Sequence, residues 1–144
     1  MRNAKLVEKI MPSMTGLYQG SLRTLDTHLK SGNQLVTDAP TDNNGRGEAF
    51  SPTDLVCAAL SSCMMTIMGM VAERENIALD GLQSRITKIM AANPRRIAEI
   101  VIEFSHPNLE ASDIQKQKLK TAALTCPVAL SLSESIIQKV DFNW

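Results

Sequence analysis

Residues 55–72 run for eighteen positions without a charged side chain, between Asp54 and Glu73, in a chain of 144 residues. No other feature constrains the fold as much. Such a run either crosses a membrane, where ~20 apolar residues span the hydrocarbon, or forms the buried centre of a globular assembly. Ser61, Ser62, Thr66 and Gly69 dilute its apolarity, and neither flank carries a Lys/Arg cluster or an aromatic belt. The neighbouring segments read as hairpins whose apolar faces would lack cover if this helix sat in lipid. The expectation is a core helix with no membrane partner, wrapped by two layers of sheet from one chain or two.

The segment begins as helices begin. Ser51 stands at the N-cap, Pro52 at the first helical position and Asp54 at the third, where a carboxylate complements the exposed amides. The helix can run to about Asn76, roughly 37 Å. Before it, KLVEKI, GLYQGSLRTL, HLK and QLVTD read as strands of an antiparallel meander, with a turn at Ser31-Gly32-Asn33 and a long loop over 38–50. After Leu79, LQSRITKIMAA and RRIAEIVIEF alternate as a second hairpin that turns at Asn93-Pro94. Ser112 and Gln115 form a capping-box pattern, opening a helix with Ile114, Leu119, Ala122 and Ala123 near one face. Pro127 interrupts that helix and starts another, PVALSLSES, and IIQKVDFNW returns to a strand. The order is βββ(β)-α-ββ-αα-β, an α+β fold in one domain covering 1–144.

Fifteen basic and fifteen acidic side chains balance, so no net field draws the chain to nucleic acid or to an anionic surface. The N-terminus lacks the apolar core of a secretory signal, so the expected start of the mature chain is near Met1 and the expected compartment is the cytoplasm. Three cysteines, Cys57, Cys63 and Cys126, are too few and odd in number for a secreted disulfide framework, which leaves reduced thiols. A metal site fails on spacing: there is no C-x-x-C, and His28 and His106 stand alone. No phosphate-binding or dinucleotide-binding motif is present, so no cofactor is expected.

The sulfurs carry the remaining chemistry. Cys57 and Cys63 lie about 240° apart around the helix and cannot bridge. Cys63 shares its face with Val56, Ala59, Leu60, Ile67 and Met70, whereas Cys57 lines up with Met64 and Met68. For a cysteine in an apolar helix the commonest role is packing. Cys126, just before Pro127 at a helix N-terminus, sits where amides and dipole favour a thiolate. Cys63 is near mid-helix and needs a cation from elsewhere, an arginine being suited because it stays protonated and forks. Arg74 is eleven residues on, roughly 16 Å along the axis. The candidates are therefore Arg23 and Arg46, with a guanidinium expected about 3–4 Å from the Cys63 sulfur.

The stretch S-P-T-D-L-V-C-A-A-L-S-S-C, ending at Cys63, and T-C-P-V, containing Cys126 63 positions later, resemble the OsmC/Ohr family of thiol peroxidases, and the element order matches over nearly the whole chain. The resemblance implies an intertwined α+β homodimer, antiparallel sheets around a long central helix, with active sites at the subunit interface. It also implies a redox pair in which Cys63 attacks an organic or lipid hydroperoxide, Cys126 resolves the sulfenic acid as a disulfide, and a lipoyl-type dithiol reduces it. Arg23 matches the family's activating arginine, and Arg46, Glu48 and Asp54 are possible accessories. The apolar substrate pocket would draw on Leu60, Met64, Ile67 and Met68. The chain departs from the family where a glutamate ten residues before the helix cysteine pairs with the arginine: position 53 is Thr53, and position 43, another family arginine site, is Asn43. The alternative is a non-catalytic binding or redox-sensing protein with an apolar crevice at the dimer interface.

Overall fold

The β-branched and apolar runs of the N-terminal segment form a three-stranded antiparallel meander, β1 (Met14–Gly20), β2 (Arg23–His28) and β3 (Gln34–Asp38), in the order β1-β2-β3. The computed structural model describes residues 10–144, so the strand expected at KLVEKI lies almost wholly outside the described residues. The run GLYQGSLRTL is two strands rather than one. Ser21 and Leu22 both take positive φ, 52° and 61°, which folds the run into a hairpin with a bulge between Tyr18 and Gly20. Leu22 does not advertise a turn, so the signal lay in Gly20 and Ser21. In the β2–β3 pairing Arg23 stands opposite Asp38.

The loop that follows is folded back on itself. A short 3₁₀ turn covers Thr41–Asn43, and the amides of Gly45 and Gly47 bond the carbonyls of Pro40 and Ala39. A Cβ at Gly45 would overlap the Ala39 carbonyl, so only glycine lets the loop close this tightly. Its far end returns to β3, where the Asp38 amide bonds the Phe50 carbonyl at 3.1 Å. These elements belong to a unit ending at Pro52; a second unit runs Thr53–Trp144.

The second unit is built on α1 (Pro52–Glu75), the charge-poor helix anticipated above. Its most apolar 18-residue window has a mean hydropathy of 2.0, enough by length and composition to cross a membrane. In this fold it is a core helix. Cys57, Leu60, Ser61, Met64, Met68, Val71 and Ala72 form its buried stripe at helical spacing. It ends in a Schellman pattern: Asn76 takes φ 55°, its amide points to the Glu73 carbonyl, and the Ile77 amide bonds the Ala72 carbonyl at 2.8 Å.

Strands β4 (Gln83–Ala91) and β5 (Arg96–Ser105) form the expected antiparallel hairpin. A bulge near Ala98 shifts the alternation, so that Ile97 and then Ile100, Ile102 and Phe104 all turn into the core. Helix α2 (Asp113–Leu124) carries the full capping box between Ser112 and Gln115 and buries Leu119 and Ala123. Ile114, expected on that face, is 72% exposed. Helix α3 (Pro127–Ser131) is shorter than the PVALSLSES segment predicts. Ser133 Oγ accepts the Ser135 amide at 3.2 Å, a local bond that competes with continued helix.

One pairing departs from the antiparallel expectation. β6 (Ile137–Asn143) runs parallel to β5, because α2 and α3 form a crossover that returns the chain to the starting edge. Phe142 of β6 then stacks on Phe104 at 5.6 Å between ring centroids and packs on Trp144. The apolar faces of α1, β5 and α2 close on one cluster that includes Cys57 and Cys126.

Candidate functional site

Folding brings Cys63 and Cys126 together. Both thiols are free; Cys63 is partly exposed on α1 and Cys126 is fully buried at the N-cap of α3. The Cys63 thiol lies near enough to Cys126 to act on its ionisation. The Ala129 amide donates a hydrogen bond to the Cys126 sulfur at 3.4 Å. Pro127, which fixes the first turn of α3, sets that amide over the sulfur.

The expectation that Cys126 is the readily ionised thiol needs correction. Burial pushes the Cys126 thiol up; the amides of Ala129 and Val128 pull it back, while neighbouring Cys63 pushes it further. The helix behind it has five residues, too few to supply much dipole against that desolvation. Cys126 therefore keeps its proton beside Cys63. Cys57, the third thiol, sits 2% exposed in the core. Burial raises its thiol, with Lys88 lowering it and Asp54 raising it by lesser amounts.

The expected pocket also changes. Leu60, Met64 and Met68 are 0% exposed and pack inside the unit, so they cannot line an open crevice. The stripe that does reach the surface of α1 comprises Val56, Ala59, Cys63, Ile67 and Met70, the face that carries the partly exposed thiol. A separate cleft of about 750 Å³ lies between α1 and α2, lined by Val71, Arg74, Ile114, Lys118 and their neighbours.

The candidate arginine occupies a built site in the first unit. Arg23 Nε and Nη2 donate to the two oxygens of Asp38, each at 2.7 Å, and Nη2 also donates to Glu48 Oε2 at 3.1 Å. The Glu48 amide closes the ring by donating to Asp38 Oδ2 at 3.2 Å. Asp38 is 0% exposed. The Arg23 hydrogen bond holds the Asp38 carboxyl below the usual carboxylate range against its desolvation, helped by the charge of Arg23, the Glu48 amide and the charge of Arg46. Arg23 is raised in turn, chiefly by the Asp38 hydrogen bond. Asp54, the other accessory candidate, pairs with Lys88 Nζ at 2.6 Å, and the same Nζ donates to Thr53 Oγ1 at 2.9 Å. Asp38 and Lys88 were missed by the sequence reading. Asp38 closes the run QLVTD, and only the β2–β3 register reveals that it faces Arg23.

The profile of the OsmC-like protein family matches residues 45–140, which include α1, Cys63, Cys126 and the first part of the closing strand. The chain belongs to the OsmC-like family. A solved structure from Psychrobacter arcticus 273-4, of a protein proposed to be osmotic-stress-induced and to act in a detoxification response, is 45% identical over 96% of this chain and 100% of its own, with a TM-score of 0.90. An organic hydroperoxide resistance protein OsmC from Legionella pneumophila is 16% identical, covers 94% of this chain and 100% of its own, and superposes with a TM-score of 0.71. One from Elizabethkingia anophelis, also an organic hydroperoxide resistance protein, gives 14%, 94%, 98% and 0.66. These two show the shared α+β fold. A comparison with curated proteins found no match.

Proposed function

We propose that this chain is a thiol-dependent peroxidase that reduces organic hydroperoxides through Cys63 and Cys126. The observation that carries the reading is the closeness of these two thiols, near enough for Cys63 to act on the ionisation of Cys126 although they lie 63 positions apart in the sequence. On this reading the Cys63 thiolate attacks the terminal peroxide oxygen, the O–O bond breaks, and the alkoxide takes a proton and leaves as the alcohol. The Cys63 sulfenic acid then loses water as the Cys126 sulfur displaces its hydroxyl, forming a disulfide. A small dithiol of lipoyl type restores both thiols by exchange and leaves as its own disulfide.

The order of attack follows from the environments. Cys126 is fully buried and holds its proton, so it suits the second step, and the partly exposed Cys63 suits the first. Arg23 is proposed as the cation that serves Cys63, with Glu48 and Arg46 as accessories. We take residues 1–144 as one OsmC-like domain acting as a cytoplasmic homodimer, in which a second copy covers the exposed apolar stripe of α1. Solved relatives known as organic hydroperoxide resistance proteins support the substrate class.

The test is direct. Reduced protein given one equivalent of cumene hydroperoxide should lose two of its three thiols, Cys63 and Cys126, while Cys57 stays free. Retention of all three ends the peroxidase reading. A redox-sensing role, favoured by the reluctance of buried Cys126 to ionise, predicts the same oxidation without steady-state turnover by a lipoyl dithiol.

A further inference from the structure

Helix α3 carries the Cys126 sulfur at its N-cap and is too short to stand alone. Five residues close hardly more than one turn, and a helix of that length persists in water only where tertiary contacts hold it. Its own bonds run out early. The Leu132 amide takes the Val128 carbonyl at 3.2 Å, but Leu132 is already extended, at φ −76° and ψ 151°, so no following turn supplies an amide for the Ala129 carbonyl. That carbonyl is satisfied from another element: Gln138 Nε2, on β6, donates to it at 3.0 Å. Among the described residues, no other hydrogen bond ties residues 127–131 to a strand.

The row on which Gln138 stands otherwise holds apolar side chains. Gln138, Val140 and Phe142 are the half-buried positions of β6, alternating with exposed Ile137, Lys139 and Asp141. Val140 and Phe142 pack against the core. A side-chain amide in that row costs desolvation unless it finds a partner. The partner it has is the residue whose own amide bonds the Cys126 sulfur.

We propose that Gln138 is a positioning residue for Cys126: by holding the Ala129 carbonyl it docks α3 on β6, so that the Ala129 amide stays on the Cys126 sulfur and that sulfur stays sealed beside Cys63. The proposal rests on the reading that Cys126 resolves an oxidised Cys63, and adds what keeps the second thiol in range. Held in this way, Cys126 meets a sulfenic acid on Cys63 as an oriented neighbour. Released, α3 opens locally, so that external reagents reach Cys126 more easily while Cys63 reaches it less often. Those two effects have opposite signs, which a plain loss of stability does not produce.

The experiment labels the reduced full chain with iodoacetamide in mildly alkaline buffer and locates each modified cysteine by tandem mass spectrometry. Gln138→Met keeps the length of the side chain and removes the donor; Cys126 labelling should rise about fivefold, the opening expected from one lost neutral hydrogen bond. Cys57, buried on α1, should label at its wild-type rate, which a general loosening of the core would not allow. Gln138→Lys fits the space less well but still donates, and should return Cys126 labelling to within about twofold of wild type. A second arm adds one equivalent of cumene hydroperoxide with excess dimedone, which traps a sulfenic acid as a carbon–sulfur adduct with loss of water. There Gln138→Met should raise the trapped fraction of Cys63 about fivefold at the expense of the Cys63–Cys126 disulfide.

Wild-type labelling of Cys126 in Gln138→Met, a rise shared equally by Cys57, no recovery in Gln138→Lys, or an unchanged trapped fraction in a chain that reacts with the peroxide overturns the assignment. Should Gln138→Met not fold, Gln138→Glu, which keeps the shape and when ionised lacks the donor, takes its place with the same expected signs. The peroxidase reading is judged separately. A wild-type chain that keeps its thiols in cumene hydroperoxide and yields no dimedone adduct loses that reading, while faster labelling of Cys126 alone in Gln138→Met keeps this one.

Discussion

Two faces of one helix carry the same kinds of residue and meet different fates. On one side of α1, Cys57, Leu60, Met64 and Met68 are at most 2% exposed, packed on Ile100, Ile102 and Phe104 of β5 and on Leu119 of α2. On another, Val56, Cys63 and Ile67 are partly exposed and Met70 is 53% exposed. Each face has a cysteine in an apolar stripe, so composition cannot tell them apart. What differs is cover. Cys57 is sealed and is read as packing, whereas Cys63, within reach of solvent and of a second thiol, has access to chemistry.

The sharpest way to break this comparison is to exchange the two thiols' fates. On the proposed reading, Cys63→Ser should abolish cumene hydroperoxide consumption, a loss of at least about a thousandfold, as expected when a nucleophile is removed. Cys57→Ala should leave turnover within about twofold, since Cys57 is 2% exposed in the core and points about 240° around the helix from Cys63. Steady-state assays with a lipoyl dithiol measure both. Equal losses would mean that the sealed face takes part in the chemistry.

Stability should divide the same way with a smaller effect. Met68→Ala deletes a side chain that is 0% exposed and should cost about 2–5 kcal/mol in urea unfolding. Met70→Ala, two positions on and 53% exposed, should cost less than about 1 kcal/mol in the monomer. If a second copy covers that face, Met70→Lys should move the protein from dimer to monomer in sedimentation, with little change in the fold of each chain. A large monomer penalty at Met70 would instead mean that one chain already seals both faces.

Which face is inward was only half legible in the sequence. The start of α1 at Pro52, its end near Asn76, the capping box at Ser112 and the turn at Asn93 all follow from local chemistry, and the structure has them where that chemistry puts them. Because α1 is apolar on every side, its periodicity carries no information about burial. Leu60, Met64 and Met68 therefore read equally well as pocket lining and as core. The parallel course of β6 and the pairing of Arg23 with Asp38 are likewise decisions of long-range register, to which isolated segments are blind. The proximity of Cys63 and Cys126 was reached through family resemblance. Spacing alone could exclude the Cys57–Cys63 bridge but could not choose Cys126.

The subtlest contrast between the faces is in alkaline solution. Cys57 and Cys126 are both buried, and burial raises both thiols above the ordinary 9.0. Their folded forms hold protons that the unfolded chain gives up, so the folded state binds more protons in that range. Stability is then fully present below about pH 9 and is lost as pH rises from there through the folded values. Urea unfolding between pH 7 and pH 11 should show a falling limb that Cys57→Ala reduces and that Cys57→Ala with Cys126→Ala reduces further. A limb unchanged in the double variant would assign it to other groups and remove the claim that these two thiols are sealed as protonated, apolar side chains.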